Sequence, residues 1–241
     1  MKFLILIRGI LVLILTPLLT FLTSLLAIVF LVLFKGSARK AQLFPRMWGR
    51  IILAASGVKV TVQGLENITP GRPYIFAVNH QSQFDIFAMQ GYLDFDFRWL
   101  AKKELFRIPF FGRAMHLAGY IAIDRSHGRE ALKSLTEAAG RIASGTSVIL
   151  FPEGTRSPDG KLHEFKSGGM VLAIKSGVPV VPVGICGTYE ILPKGKLLAK
   201  PGHVTIRVGK PVETKGFSSG QKHELAAVIR GEVARLISMA D

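Results

Sequence analysis

Cysteine is almost absent from this chain. Cys186 is the single cysteine among 241 residues, so no disulfide can form within the chain, which fits a reducing compartment. It lies in an apolar stretch with no charged neighbour that would stabilise a thiolate, so a small packed hydrophobe is favoured over a nucleophile. Chemistry that runs through a cysteine is therefore not expected.

Acidic residues are missing from the N-terminal part of the chain. None occurs before Glu66, whereas eight basic residues do: Lys2, Arg8, Lys35, Arg39, Lys40, Arg46, Arg50 and Lys59. They account for 8 of the 15 surplus positive charges. Because they lie in or beside the most hydrophobic part of the chain, an anionic bilayer surface is favoured over nucleic acid as the partner.

Charged residues of either sign are missing from positions 9–34, which consist mostly of Leu, Ile, Val and Phe. As a helix this run is about 39 Å long, more than the roughly 30 Å hydrocarbon core of a bilayer requires. It exceeds the apolar core of a signal peptide, usually about 7–15 residues, and it ends at the bulky Leu33 and Phe34. Pro17 divides the run, so a tilted span kinked at Pro17 and a shallow hairpin in one leaflet both stay open.

The next segment has the pattern of a helix lying in the membrane interface. Leu43, Met47 and Ile51 recur at a helical spacing, with Trp48 beside them and arginines on the other faces. The alternative is a helix packed on the following domain. Five positive charges between positions 35 and 50 predict that this domain lies on the cytoplasmic side. We therefore expect residues 1–57 to form a membrane-anchoring helical region.

From residue 58 onward, short β-rich runs alternate with helical stretches. The predicted strands are 58–62, 74–78, 98–101, 120–124, 147–151, 180–184 and 204–208. The predicted helices are 84–91, 129–144, 169–176 and 221–239. This alternation predicts an α/β fold for residues 58–241, with a mixed, mostly parallel sheet flanked by helices, after an N-terminal membrane-embedded helical segment. Sites in such sheets form where loops leave the carboxyl ends of strands.

A histidine follows one of these strands, in the segment 79–85 (NHQSQFD). A histidine with a nearby carboxylate can act as a general base, because the carboxylate holds the imidazole tautomer and stabilises its charged form. Five residues apart in one helix, the side chains of His80 and Asp85 would point about 140° apart. They can meet if His80 lies in a loop and Asp85 falls in the first turn of a helix that begins near Ser82. The alternative is that Asp85 only caps the amides of that helix.

A second block, 151–157 (FPEGTRS), also follows a predicted strand directly. Its Gly154 would let the backbone approach a ligand closely, and its Arg156 can bind phosphate oxygens. The alternative is a surface turn with an incidental arginine. Because Cys186 is poorly placed for catalysis, we expect His80 to activate a hydroxyl directly, without a covalent intermediate on the protein.

With these residues in view, the chain resembles the glycerolipid acyltransferase family, which includes 1-acyl-glycerol-3-phosphate acyltransferases. Four blocks of that family occur in order: 79–85 (NHQSQFD), 119–125 (GYIAIDR), 151–157 (FPEGTRS) and 178–183 (VPVVPV). The spacing of His80 and Asp85 is weakly specific alone, but together with FPEGTRS it is strong. The resemblance covers roughly residues 58–208.

The resemblance implies roles for the matching residues. His80 is the implied base and Asp85 its orienting partner. The implied binding site for the phosphate and glycerol of the acceptor comprises Lys102, Arg125, Glu153, Gly154, Thr155 and Arg156. Glu153 is expected to position an arginine or a glycerol hydroxyl, because a carboxylate is an unfavourable neighbour for phosphate.

The implied reaction is transfer of a fatty acyl chain from acyl-CoA or acyl-acyl carrier protein to the sn-2 hydroxyl of 1-acyl-glycerol-3-phosphate (lysophosphatidate), which gives phosphatidic acid. We expect it at the cytoplasmic face of the inner membrane, among membrane phospholipids, with no bound cofactor and no nucleic acid. The remaining histidines lack metal-ligand spacing, so no metal is expected. Two alternatives stay open: another acceptor, namely glycerol 3-phosphate, a lysophospholipid or a lyso-aminolipid, or a non-catalytic protein that binds lipids at the membrane surface.

Overall fold

Seven strands form one mixed sheet in the computed structural model, which describes residues 2–124 and 129–239. They are β1 (Val58–Gln63), β2 (Ile75–Val78), β3 (Arg98–Lys102), β4 (Ile121–Ile123), β5 (Val148–Leu150), β6 (Val180–Cys186) and β7 (Gly202–Val208). Their spatial order is β1-β7-β6-β2-β5-β3-β4, and only the β6–β7 pair is antiparallel. The prediction of a mixed, mostly parallel sheet flanked by helices is confirmed.

Helices precede the sheet and cover its faces. They are α1 (Lys2–Val32), α2 (Ala38–Ala41), α3 (Leu43–Ala55), α4 (Phe84–Tyr92), α5 (Phe111–Leu117), α6 (Arg129–Ala143), α7 (Ser167–Ser176), α8 (Thr188–Ile191) and α9 (Lys222–Ser238). The four helices predicted after residue 58 correspond to α4, α6, α7 and α9. The sequence did not predict α2, α5 and α8, because elements of four to seven residues are too short to show a helical period.

The central strand β2 is buried on both faces of the sheet. Phe76 and Val78 point into the apolar cluster that α3 and α4 cover, whereas Ile75 and Ala77 point into the cluster beneath α6, α7 and α9. All four side chains have no exposed surface. This explains why β2 is a continuous apolar run, since a parallel strand between two helical layers has no polar face.

The N-terminal apolar run forms one continuous helix. α1 passes through Pro17 without a turn, so the hairpin folded at Pro17 does not occur. Phe30 packs edge-on against Phe44, and the indole N–H of Trp48 donates to the hydroxyl of Thr20 at 3.0 Å, so α1 and α3 run antiparallel. Within residues 2–124 and 129–239, α1 is the one helix long and apolar enough to cross a membrane.

Both interpretations of the segment after α1 apply to α3. Ile52 and Leu53 are fully buried against the sheet domain, as the packed-helix alternative requires. Leu43, Met47 and Ile51 form an apolar stripe with exposed fractions of 57%, 49% and 40%, as the interfacial-helix interpretation requires. The division between a membrane-anchoring region at 1–57 and a domain at 58–241 stays a prediction, although α3 shares a core with the sheet.

The crossing of α3 and α4 depends on a glycine. A Cβ on Gly49 would stand 2.6 Å from the carbonyl oxygen of Phe87 and 3.0 Å from the amide nitrogen of Gly91. We expect Gly49→Ala to force the two helices apart and to lower the free energy of unfolding by about 1–3 kcal/mol. Thermal unfolding of the full chain in detergent measures this loss.

Gly231 in α9 is the matched control, because it is also a helical glycine but a Cβ there would meet nothing within 4 Å. Gly231→Ala should raise stability by about 0.5–1 kcal/mol, since alanine loses less backbone entropy in a helix. Equal unfolding temperatures for Gly49→Ala and the unmodified chain would contradict the close crossing.

Candidate active site

The two sequence blocks singled out above meet because β2 and β5 are neighbouring parallel strands. His80 lies in the loop after β2, and the block 151–157 follows β5. The backbone N–H of His80 donates to Oε1 of Glu153 at 2.6 Å, and the N–H of Ser157 donates to the carbonyl of His80 at 2.7 Å. Two hydrogen bonds thus hold the loops together at the carboxyl edge of the sheet.

The side chains of His80 and Asp85 are hydrogen-bonded, with 2.8 Å between Nδ1 of His80 and Oδ2 of Asp85. His80 lies in the loop and Asp85 in the first turn of α4, as the sequence required for the two to meet. The Asp85 carboxylate is fully buried, and because it can only accept hydrogen bonds when ionised, the imidazole donates through Nδ1–H. This tautomer leaves Nε2 with a lone pair for accepting a proton.

Asp85 also binds the loop before α4, because the two amides that it accepts from precede Gln83, the N-cap of that helix, and are not amides of the helix itself. Its Oδ2 accepts from the N–H groups of Gln81 and Ser82 at 2.7 and 2.8 Å. Its Oδ1 accepts from the hydroxyl of Thr188, in α8, at 2.5 Å. Thr188 is a site residue that the sequence did not reveal, because no local pattern marks a threonine 103 positions away as a partner.

The ring of His80 is stacked on Phe151. The ring centroids lie 3.8 Å apart with an interplanar angle of 11°, and Trp99 continues the stack at 5.7 Å from Phe151. The aromatic contact and the bond to Asp85 together fix both the plane and the rotation of the imidazole. Phe151 is the first residue of the block 151–157, and this position was the only sequence signal for it. No role was predicted for Phe151 from the sequence.

Among the described residues, the carboxylate of Glu153 binds backbone N–H groups rather than an arginine. Its Oε1 accepts from His80 as described, and its Oε2 accepts from the N–H of His163 at 3.0 Å. Burial raises the pKa of Glu153, and the two N–H donors oppose that rise. Within the part of the chain that the structure describes, both carboxylate oxygens are therefore engaged by amides, which favours a role in positioning the two loops.

Basic side chains collect around the loop that follows β5. Arg156 is half-buried there and forms no ion pair within residues 2–124 and 129–239. The Lys194 ammonium donates to the hydroxyl of Thr155 at 3.2 Å and to the carbonyl of Arg156 at 3.1 Å. Gly154 has a φ of 75°, and a Cβ there would stand 3.1 Å from Nζ of Lys166. Lys166 and Lys194 are not among the residues that the sequence predicted for the site, because their proximity depends on tertiary folding.

Lys102 and Arg125 are the two remaining residues predicted to contact the phosphate. Lys102, at the end of β3, is exposed and lines the same cavity as His80. Arg125 lies outside the described residues. Its neighbour Asp124 forms an ion pair with Lys103 at 2.5 Å. Among the described residues, no three His, Cys, Asp or Glu side chains converge as metal ligands.

An apolar cavity of about 280 Å³ opens beside His80 and Phe151 and runs between α1, α3, α5 and β3. This volume is close to the lower end of the roughly 300–1,000 Å³ typical of small-molecule sites. Its walls are mostly aliphatic and aromatic, with Thr20, Thr23, Ser24, Ala27, Trp48, Leu100, Met115 and Ala118 among them. The cavity therefore suits an extended hydrocarbon chain whose reactive end lies at the imidazole.

A serine outside this site has the spacing of a nucleophile elbow. The segment 216–220 (GFSSG) matches Gly-x-Ser-x-Gly, but it lies eight residues beyond the end of β7 rather than at a strand-to-helix turn. Ser218 caps the short 3₁₀ helix before α9, and its hydroxyl lies 3.0 Å from Oε1 of Gln221. This geometry favours a structural role for Ser218 and leaves His80 as the candidate catalytic group.

Several known proteins are similar to this chain in sequence. The chain is 40% identical over 174 residues to a 1-acyl-sn-glycerol-3-phosphate acyltransferase of Chlamydomonas reinhardtii, covering 71% of this chain and 52% of the relative. It is 37% identical over 163 residues to the enzyme of that name from Pseudomonas aeruginosa, covering 67% and 62%. The matched region thus spans about half to three-fifths of the length of these curated relatives.

A solved structure matches over nearly the whole chain. The crystal structure of the 1-acyl-sn-glycerophosphate acyltransferase PlsC from Thermotoga maritima superposes with a TM-score of 0.71 at 32% sequence identity, covering 95% of this chain and 98% of that one. The sequence model of the family described as Acyltransferase matches residues 59–186, which include β2–β6, all of β1 except its first residue, and both blocks of the site. This chain therefore belongs to the acyltransferase family.

Proposed function

We propose that this protein transfers a fatty acyl group from an acyl thioester to the sn-2 hydroxyl of 1-acyl-glycerol-3-phosphate, which gives phosphatidic acid. The observation that carries the proposal is the imidazole of His80, bound at Nδ1 by Asp85 and placed at the end of an apolar cavity. The names of the relatives support the acceptor, since those proteins are 1-acyl-sn-glycerol-3-phosphate acyltransferases.

In the proposed reaction, Nε2 of His80 takes the proton of the acceptor hydroxyl as its oxygen attacks the thioester carbonyl. The new C–O bond forms, the C–S bond breaks, and the imidazolium returns its proton to the departing thiolate. Asp85 stabilises the imidazolium through the 2.8 Å bond to Nδ1. The donors that stabilise the tetrahedral oxyanion would be backbone N–H groups of the loops around His80.

The phosphate of the acceptor fits the basic side chains on the loop after β5. Arg156 can hold two phosphate oxygens with its planar guanidinium, while Lys102, Lys166 and Lys194 add point charges from other segments. Glu153 then acts indirectly, because its two amide bonds set the distance between this loop and His80. Anchoring the phosphate fixes the hydroxyl against the imidazole, so part of the rate comes from positioning.

Membrane lipids supply the acceptor, and the apolar N-terminal helix accounts for access to them. α1 exposes large side chains along most of its length, which suits contact with lipid. The positive charges after α1 favour a cytoplasmic position for the sheet domain, where acyl-CoA and acyl-acyl carrier protein are available. In a bacterial cell this corresponds to the inner face of the inner membrane.

Removing the base should abolish the reaction without unfolding the protein. We expect His80→Ala to lower kcat for acyl transfer by about 10²–10⁴-fold, the usual contribution of a positioned general base. Thiol release from acyl-CoA in the presence of lysophosphatidate measures the rate. His116→Ala is the matched control, since His116 is an exposed histidine on α5 that does not line the cavity. A His80→Ala protein that keeps most of the rate would remove the mechanism.

Arg156→Ala tests the acceptor site. Loss of one charge-assisted contact should raise the KM for lysophosphatidate by about 10–100-fold and leave the KM for the thioester nearly unchanged. Arg156→Lys should recover part of the affinity, because it keeps the charge but not the planar fork. Equal increases in both KM values would show that Arg156 does not bind the acceptor selectively.

Ala27→Leu tests the cavity as the site of an acyl chain. Ala27 lies on α1, is 5% exposed and lines the cavity, so three added carbons would shorten the space available. We expect a shift of preference toward shorter acyl donors, measured as kcat/KM across a series of chain lengths. Ala54→Leu is the control, because Ala54 is an exposed alanine on α3 outside the cavity. An unchanged chain-length profile in Ala27→Leu would contradict this assignment.

A further inference from the structure

A second pocket, of about 430 Å³, lies where α2 and α3 meet the sheet domain. We call it the basic pocket and define it by its lining residues: Arg39, Lys40, Gln42, Leu43, Arg46, Pro70, Gly71, Arg72, Asp94, Phe95, Asp96, Gly145 and Ser147. Four of these are basic and two are acidic. None of them is part of the proposed acyl-transfer site.

The positive charge of the basic pocket exceeds what its carboxylates neutralise. Asp94 is paired with Arg46 at 2.8 Å. Asp96 is paired with Arg98, which lies outside the pocket, at 2.6 Å. Both acidic side chains are therefore already compensated.

Arg72 is paired with Glu213 at 2.6 Å, so two of the four cations of the pocket stay uncompensated. Arg39 and Lys40, on α2, are exposed and form no ion pair within residues 2–124 and 129–239. They are adjacent in sequence at the rim of a concave surface. This arrangement fits a ligand that carries negative charge, since a cleft lined by one sign of charge concentrates the opposite ion.

The basic pocket is at the opposite edge of the sheet from His80. Ser147 directly precedes β5, and Pro70, Gly71 and Arg72 precede β2, so the pocket borders the amino ends of these strands. His80 follows the carboxyl end of β2. A lipid held in the basic pocket is therefore not positioned for reaction at the imidazole, and the pocket serves binding rather than acyl transfer.

Exposed apolar side chains flank Arg39 and Lys40 in the sequence. Leu33 and Phe34, directly after α1, have exposed fractions of 72% and 73%, and Leu43, which lines the pocket, has one of 57%. Side chains of this kind contact the acyl region of a bilayer, while arginines and lysines beside them stay at headgroup depth. Arg39 and Lys40 lie between these two apolar groups in sequence, so they face the level of lipid phosphates.

The wall of the basic pocket contains an unpaired donor. Gln42 is 8% exposed, and its Nε2 has no hydrogen-bond partner among the described residues. Its Oε1 is engaged by the hydroxyl of Tyr120 at 3.3 Å and by the amide of Gln90 at 3.4 Å. A buried amide without an acceptor is costly, so a ligand oxygen that reached Nε2 would be favoured.

From these observations we propose that the basic pocket binds the headgroup phosphate of an anionic phospholipid of the surrounding bilayer, as a second lipid site separate from catalysis. Arg39 and Lys40 neutralise the phosphate, and Leu43 contacts the first methylenes of its acyl chains. The proposal depends on the membrane position assigned to α1–α3, but not on the role of His80.

Native mass spectrometry of the full chain in detergent, titrated with phosphatidylglycerol, tests the site. The unmodified protein should retain phosphatidylglycerol in preference to phosphatidylcholine. The double variant Arg39→Gln/Lys40→Gln should bind phosphatidylglycerol about 30-fold more weakly, since each basic residue near an anionic lipid contributes on the order of a fivefold factor. The double variant Lys133→Gln/Lys210→Gln removes the same charge from two exposed lysines outside the pocket and should bind like the unmodified protein.

Several outcomes would overturn the site. Equal losses in both double variants would mean that only total charge matters. Competition by inorganic phosphate or free CoA at concentrations comparable to the lipid would mean that the ligand is a soluble anion. His80→Ala separates this proposal from the enzymatic one, because it should lose acyl transfer and keep phosphatidylglycerol binding. A loss of lipid binding in His80→Ala would contradict a second site.

Discussion

The carboxylate of Asp85 is the group on which the proposed site depends. It has no exposed surface and accepts four hydrogen bonds, from the ring of His80, the amides of Gln81 and Ser82 and the hydroxyl of Thr188. A buried carboxylate is tolerable only when it is compensated in this way. Because its donors belong to the loop after β2 and to α8, the same group that orients the imidazole also fixes the backbone around it. The hydrogen bonds of Asp85 therefore both orient the base and fix the conformation of the loop.

Sheet order explains how distant segments reach this carboxylate. β2 lies between β5 and β6, so the loops after these two strands flank the loop that carries His80. On the β5 side, Glu153 accepts the amide of His80. On the β6 side, the amide of Asn79 exchanges two hydrogen bonds with the backbone of Ile185, at 2.9 and 2.7 Å. The loop is held from both sides by groups more than 70 positions away in sequence, the side chain of Glu153 and the backbone of Ile185, so its geometry follows from strand neighbours rather than from its own seven residues.

The parts of the structure that sequence predicted are those with local causes. Each strand is a short run of β-branched and apolar residues, and the parallel arrangement places residues after β2 and β5 at one edge, where the family resemblance had implied a site with His80 and Glu153. Thr188 and Lys194 were not predicted, because their positions require knowing that β6 lies beside β2. The stacking of Phe151 on His80 likewise depends on the pairing of two strands. Polar contacts such as that of Gln42 arise only after α2 packs against the domain.

The sequence of α1 contains a pattern that relates this helix to the apolar cavity. The small and hydroxyl side chains of this otherwise bulky helix recur on one face: Thr16, Thr20, Thr23, Ser24 and Ala27. Each of the four hydroxyls donates to the carbonyl four residues earlier, at 2.6–2.7 Å, so its polarity is satisfied within the helix. Four of the five side chains line the apolar cavity, while large side chains on other faces of α1, such as Leu18, Leu22 and Leu26, are exposed. A helix that only anchored the protein in lipid would have no reason to segregate them. In the proposed function, one face of α1 therefore lines the acyl-chain site while the other faces contact the membrane.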